Sequence, residues 1–458
     1  MIADPQATVS GQEKAGQLHV VLGGGKGTVQ IHQDTPNVSD VAEAGDQFGF
    51  SFAAYDANKD GCSDLAVGIP HEDIGTVPDA GLVHLIFGST SGIGQGTPDR
   101  GFGQGAALGD VAEAEDWVGY SVATTVSSTG IPYLVVGAPG EDVAGKIDSG
   151  LVHAVYGTDF KSVSLDQDSP LVWEEREAYD QFGSVVVAAG NFFVVGVPGE
   201  SIDTDLSAGA VMAFRTSINT DGIPAPTWGM GQGRAAGSEK SAETGDRFGT
   251  SMAFVPNKYK NSSGRLEAGF LLAVGVPGED LADVMDAGAV QTYQITAAES
   301  VTHLNWIDQN TDGVEGEAEP GDFFGQTLTG VNTSPTAEST ASTVRLAVGV
   351  PGEESTEQHL DTGGVQIFPF VGAPGASDAW LEPGSGIPSA PASRQFAGIS
   401  LGGTRTALFV GMPYGPAEGH AVYGFPWSVT TGGAPTQTWK PGDGVIPAGD
   451  GAFGTVVR

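Results

Sequence analysis

One phrase returns along this chain with small variations: AExGDxFG, a strand-like run, LAVGxPGED, an acidic turn ending in DAG, then a run of the form GxVxxxY. The first element reads EAGDQFG at 43–49, EAEDWVG at 113–119, EAYDQFG at 177–183, ETGDRFG at 243–249 and EPGDFFG at 319–325, with weaker copies SRQFAG at 393–398 and GDGAFG at 449–454. The second occurs six times, from LAVGIP at 65–70 to LFVGMP at 408–413, and the third follows it each time, as in AGLVHLIFG at 80–88 and SGLVHAVYG at 149–157. Each element is a β-branched and aromatic run closed by Gly or Pro, the pattern of a strand between turns. Runs such as LAVGV do not alternate polar and apolar residues, so these strands are expected to be buried on both faces. A more polar stretch with a tryptophan follows: LVWEE at 171–175, APTWGM at 225–230, HLNWID at 303–308, DAWLEP at 378–383 and TQTWKP at 436–441. It reads as a fourth, outer strand.

The chain ends decide how the units are arranged. The final residues GAFGTVVR supply a first strand with nothing after it, while LHVVLGGGKGTVQIHQD near the start reads as a second-like and a third-like strand with no first strand before them. Six whole units and one assembled from both termini make seven units of about 65 residues in 458. Four-stranded antiparallel units joined in a ring are propeller blades, and sharing one blade between the termini removes open sheet edges. The expectation is an all-β fold, a single seven-bladed β-propeller over residues 1–458 whose closing blade is shared by the N- and C-termini. A linear β-solenoid is the alternative, but it would not need termini that complete one repeat.

Composition narrows the function classes. With 71 glycines, 27 prolines and 40% apolar residues, the chain is turn-rich yet has ample material for a core. Its formal charge of -37 argues against nucleic acid and anionic membrane surfaces and for cations or a basic partner. Cys62 is the only cysteine, so no intramolecular disulfide can form. No run approaches the roughly 18 apolar residues of a membrane span, so no membrane insertion is expected. MIADPQATVS lacks the features of a signal peptide, which leaves a cytoplasmic chain or a mature secreted one.

The stretch GDQFGFSFAAYDANKDGCSDLAVGIP resembles the FG-GAP repeat of integrin α-subunit propellers, in which an FG strand, a calcium loop of the form DxNxDGxxD and a GAP-like strand follow in order. The repeat-wide form, with PGED and DAG added, is similar to bacterial FG-GAP proteins found in secreted or surface settings. The resemblance covers nearly the whole chain and speaks to fold more than to function. It departs in one respect: integrin propellers generally carry several calcium loops, whereas the corresponding positions here read TTVSSTGIPY, AAGNFFV, VPNKYKNSSGRLEAG, NTSPTAESTASTVR and LGGTRTA. None keeps the acidic spacing.

In the one loop that does, Asp56, Asn58 and Asp60 stand at alternating places, Gly61 permits the sharp turn, and the Cys62 carbonyl and Asp64 carboxylate complete an all-oxygen set. Hard oxygen ligands favour Ca²⁺ over Zn²⁺ or Mg²⁺. The competing reading is an Asx-rich turn whose side chains satisfy backbone amides. A second acidic set recurs between the second and third strands: Asp73 with Asp79, Asp142 with Asp148, Asp280 with Asp286, and Glu353 with Asp361. The AExGD segments should lie on the same face, carrying for example Glu43 and Asp46 or Glu113 and Asp116. These carboxylates either cap turn amides and latch blades or attract cations and a basic partner.

No catalytic motif stands out, and catalytic residues are left unassigned. His84 and His153 recur at one place in the LVH strand and read as repeat-specified strand residues; the tryptophans read as interblade packing. The expected function is a calcium-binding, non-catalytic, integrin-like module that binds a protein or glycan, working as a monomer outside the cell or at its surface. The alternative is a secreted hydrolase, lyase or small-molecule cyclase with its site in the central funnel.

Overall fold

A computed structural model describes all residues except 106, 234–240, 357, 417–418 and 450, so position 450 of the weak GDGAFG copy lies outside the described residues. Seven sheets account for the strands. In the first blade, Ser51–Tyr55, Asp64–Ile69, Leu82–Ile86 and Arg100–Phe102 pair in sequence order, every neighbour antiparallel. Five further sheets repeat the plan, each second strand being a LAVGxP run. The remaining sheet takes Val456–Val457, Ile2–Asp4, Gln17–Val21 and Thr28–Ile31 in that order. The fold is a seven-bladed β-propeller.

Two strand assignments differ from the sequence reading. The run at 18–34 supplies the third and fourth strands of the closing blade, and the second strand is Ile2–Asp4, too short for periodicity to reveal. In the second blade the outer strand is Lys161–Leu165, so Trp173 lies in the connection after it. The remaining four tryptophans of the pattern, Trp228, Trp306, Trp380 and Trp439, do stand on outer strands. The fifth blade adds a short parallel strand, Gly386–Ile387, beyond Ala379–Pro383.

Contacts group the chain into two units. One comprises Met1–Glu200, Ala210–Gly229 and Gly444–Gly451, the other Ser201–Gly209, Met230–Asp443 and Ala452–Arg458. In the first, Ala53, Val83, Val122, Leu134 and Val136 join one apolar cluster, and Val135, Val152, Phe182, Phe193 and Phe214 another. In the second, Ala253, Leu271, Phe324, Leu346 and Phe368 form one cluster, and Ile367, Leu408, Val410, Tyr423 and Phe425 another. Asp64–Ile69 and Pro132–Ala138 are buried at every position, which is why their sequences do not alternate.

Two recurring contacts join one blade to the next. The DAG glycine bridges the following FG segment in parallel, as in Gly81 with Val118, Gly150 with Phe182, Gly288 with Phe324 and Gly363 with Ala397. The hydroxyl just after FG donates to the next blade's FG carbonyl: Ser51 to Gly119 at 2.6 Å, Ser121 to Gly183 at 2.7 Å and Ser251 to Gly325 at 2.6 Å. The glycine of the LAVGxP run faces that same carbonyl. A Cβ at Gly137 would lie 2.0 Å from the Gly183 carbonyl oxygen and 2.5 Å from Ser121 Oγ, so alanine there must push backbone apart. Gly137→Ala is expected to lose roughly 1–3 kcal/mol in urea denaturation, whereas Gly23→Ala, with nothing within 4 Å, should leave the midpoint unchanged.

Candidate functional site

The loop at 56–64 links the first two strands of the first blade and folds around its own side chains. Asp56 Oδ1 and Asn58 Oδ1 both accept from the Asp60 amide, at 3.1 and 2.9 Å, so the two oxygens converge on one point. Asp56 Oδ2 accepts from the Gly61 amide at 3.0 Å and Asp60 Oδ1 from the Cys62 amide at 2.8 Å. Gly61, at φ 87°, makes the turn that permits this. Asp64 is fully buried and does a different job: Oδ2 accepts from the Ala57 amide and Oδ1 from the Gly88 amide, each at 2.8 Å, tying the loop to the end of the third strand. The Asx-turn network therefore exists. Its oxygens are acceptors only, each retains coordinating capacity, and the donor set suits a hard cation. Beside the loop a pocket of about 400 Å³ opens between Cys62–Leu65 and Gly88–Ile93, with Lys26 on its wall.

On the opposite edge of each blade, the paired acids of the second-to-third-strand loops are turn makers. Asp73 accepts from the Asp79 amide at 3.0 Å, Asp142 from Asp148 at 2.9 Å and Asp280 from Asp286 at 2.8 Å. Asp79, Asp148 and Asp286 themselves stand at φ of 51°, 48° and 51°, a left-handed conformation that Asp tolerates well. Glu353 does not belong with them: it aligns with Glu72, Glu141, Glu200 and Glu279, one residue earlier in the turn, and takes their hydrogen bond.

Those five glutamates belong to a set that the sequence reading overlooked. Each accepts from a glutamine at the end of the preceding blade: Gln33 to Glu72, Gln232 to Glu279 and Gln309 to Glu353 at 2.6 Å, and likewise Gln104 to Glu141 and Gln167 to Glu200. Beside each lies the Asp of AExGD, whose carboxylate accepts the amide of the Glu three residues earlier, for example Glu113 to Asp116 at 2.6 Å and Glu319 to Asp322 at 2.7 Å. Burial, then the neighbouring carboxylate, pushes Glu72 up to about 9 and Glu141, Glu200 and Glu353 to about 8. Burial also raises Asp46 and Asp180 to about 6, Asp116 and Asp322 to about 7 and Asp246 to about 8, against their backbone hydrogen bonds.

At the sixth repeat Gln395 replaces the Asp and accepts the Ala392 amide at 2.8 Å, Gly415 replaces the Glu, and Pro383 replaces the glutamine. At the closing repeat the three positions are Gly451, Ala7 and Pro441. The set is present whole or absent whole. The signal was available in the glutamines of IHQD, GFGQG, LDQD, GMGQG and IDQN, which recur with the rest of the repeat.

The two LVH histidines are interior strand residues. His84 and His153 are fully buried; His84 Nδ1 meets Asp99 Oδ2, and His153 Nδ1 lies 2.9 Å from Ser164 Oγ, with burial lowering His153 to about 4. Gln291 and Gln366 occupy the same register in later blades.

Residues 48–86 match the FG-GAP repeat family model, a span that holds the first three strands of the first blade and the 56–64 loop. This chain is a β-propeller carrying an FG-GAP repeat. It is also 26% identical over 210 residues to the phosphatidylinositol-glycan-specific phospholipase D of Rattus norvegicus, a match covering 43% of this chain. The chain spans only about a quarter of that relative, 24% of its length.

The carboxyl sets give the propeller a pH signature. Glu200 and Asp180 titrate higher in the folded than in the unfolded chain, so their contribution to stability is complete below pH about 4 and is lost as pH rises through about 6 to 8. With chelator present, stability measured by urea denaturation is expected to fall over that window, and Glu200→Gln should flatten the fall; an unchanged slope in that variant would contradict the assignment.

Proposed function

We propose that this FG-GAP propeller is a calcium-braced, non-catalytic module that binds a protein or glycan ligand outside the cell or at its surface. The observation that carries the binding reading is where apolar side chains meet water. Among the described residues, the exposed large hydrophobics all lie in the loops joining second to third strands or fourth to next first strands, except Val126, Ile131 and Leu266. Ile147, Leu206, Met285 and Leu360 hold one equivalent position in four blades, with exposures from 48% to 65%. Exposed apolar residues scattered singly need no explanation, but a repeated one beside acidic turns on one blade edge suits a partner with apolar and basic groups.

Calcium in the 56–64 loop would be held by Asp56, Asn58 and Asp60 side chains, the Cys62 carbonyl and Asp64. Bound there, it would neutralise the loop's carboxylates and stiffen the join between the first two strands. The millimolar calcium outside cells suits a site of modest affinity. The rat relative's name supports a second reading, a hydrolase acting on phosphatidylinositol-glycan.

Calcium should raise the thermal midpoint, by about 2.7 kcal/mol of stability when free calcium is roughly 100 times Kd. Asp60→Ala should weaken that response; equal melting of the parent in calcium and in chelator would sink the metal assignment. Binding is read on arrays of immobilised glycans and basic proteins. Met285→Ser with Leu360→Ser is expected to weaken the strongest signal about tenfold, and an intact signal would remove this edge from the account. Release of phosphatidic acid from a phosphatidylinositol-glycan substrate would establish the hydrolase instead.

A further inference from the structure

The junction between the first and second blades brings three carboxylates together. Carboxylate oxygens of Glu113, Asp116 and Glu141 all lie within 4.8 Å of one another. Asp116 and Glu141 are 1% and 6% exposed, while Glu113 is open to solvent, so the group is buried at one end and accessible at the other. Gln104, 5% exposed and contributed by the preceding blade, donates Nε2 to Glu141.

Two buried acceptors in this group, Gln104 Oε1 and Asp116 Oδ1, have no hydrogen-bond donor. Amide and carboxylate oxygens can only accept, so neither can satisfy the other. A buried polar atom left without a partner costs about 1–3 kcal/mol, more beside like charge. A proton on Glu141 or Asp116 would supply one donor and leave the second acceptor and the Glu113 carboxylate as they are. Asp110 and Asp142 add further negative charge, and among the described residues no lysine or arginine pairs with Glu113, Asp116 or Glu141. One divalent cation would answer all of these at once.

We propose that this junction is a second Ca²⁺ site, ligated by the carboxylates of Glu113, Asp116 and Glu141 and the amide oxygen of Gln104. The donors are all oxygen and come from flexible turns, which suits Ca²⁺; Zn²⁺ would want nitrogen or sulfur, and Mg²⁺ a stricter octahedron. The chain contains its own control. Where Gln395 stands for the Asp, the Glu and the glutamine are replaced too, by Gly415 and Pro383, as expected if the three residues serve one ion rather than three separate turns. The site shares no residue with the 56–64 loop and stands on the opposite edge of the blades. It would bind one blade to the next, where the loop braces a single blade.

The test uses the full chain, stripped with chelator and titrated with CaCl₂ near neutral pH, bound metal being counted by equilibrium dialysis. In an Asp60→Ala background, which weakens the loop site, calcium binding is expected to persist, and adding Glu141→Gln should remove one equivalent per chain. The same substitution should leave the melting midpoint in chelator unchanged or higher, since a neutral amide replaces a buried carboxylate. If Glu141→Gln does not fold, Glu113→Gln, on the exposed side, should weaken calcium about tenfold. Absence of calcium binding in Asp60→Ala, or undiminished stoichiometry and affinity in the Glu141 and Glu113 variants, would overturn the site while leaving the loop assignment to stand or fall on its own.

Discussion

The glycine in five of the six LAVGxP runs lies so close to the FG carbonyl of the following blade that no side chain fits between them, and much of the architecture depends on that approach. At Gly68, Gly137, Gly275, Gly349 and Gly411 an added Cβ would sit 2.0–2.2 Å from a neighbouring FG carbonyl oxygen. The approach brings backbone polar groups into a dry interface, where each must find a partner. Ser51, Ser121, Ser251 and Thr327 supply one, donating to the carbonyls that the glycines face. Phe48, Phe182, Phe248 and Phe324, each next to an FG glycine in sequence, are fully buried. The repeated motif is thus a description of a joint, and its letters recur because the joint does.

A joint built from acidic turns carries an electrostatic burden. Five of the joints enclose a glutamine, an aspartate and a glutamate, and burial holds the acids' pKa values well above their usual range. Two carboxylates in a desolvated site cannot both stay charged without a compensating proton or cation. The repeats without the set show that the fold does not require it: Gln395 makes the same turn hydrogen bond as Asp322 without the charge. The cation site we propose at the Gln104, Glu113, Asp116 and Glu141 joint would give its acids a role that a neutral residue cannot fill. The 56–64 loop solves a different problem on the other edge, turning a long connection between two strands into a compact, self-satisfied structure.

Most of the fold was legible because a repeated motif reports its own period. Strand type, number and order followed from LAVGxP and GxVxxxY, whose burial on both faces leaves a continuous apolar run. What escaped was short or non-periodic. Ile2–Asp4 is only three residues long, and its pairing with Gln17–Val21 is fixed by tertiary contact rather than by local pattern. Trp173 imitated the outer-strand tryptophans but packs against Gly229 from a connection. In the acidic turns the Asp pairs are the more conspicuous signal and make turns, and Glu353 resembles them in sequence through a shift of one residue. The buried Glu was hidden in the same PGED letters, because sequence spacing alone does not say which of two adjacent acids faces inward.

We propose that this propeller holds cations on both edges of its blades, in one loop and at one joint. The most direct measurement is anomalous diffraction at long wavelength from crystals grown in calcium. The account predicts peaks inside the Asp56–Asp60 loop and among Gln104, Glu113, Asp116 and Glu141, with none at the joint carrying Gln395 and Gly415. Empty density at either acidic position in saturating calcium, or a peak at the Gln395 joint, would contradict it.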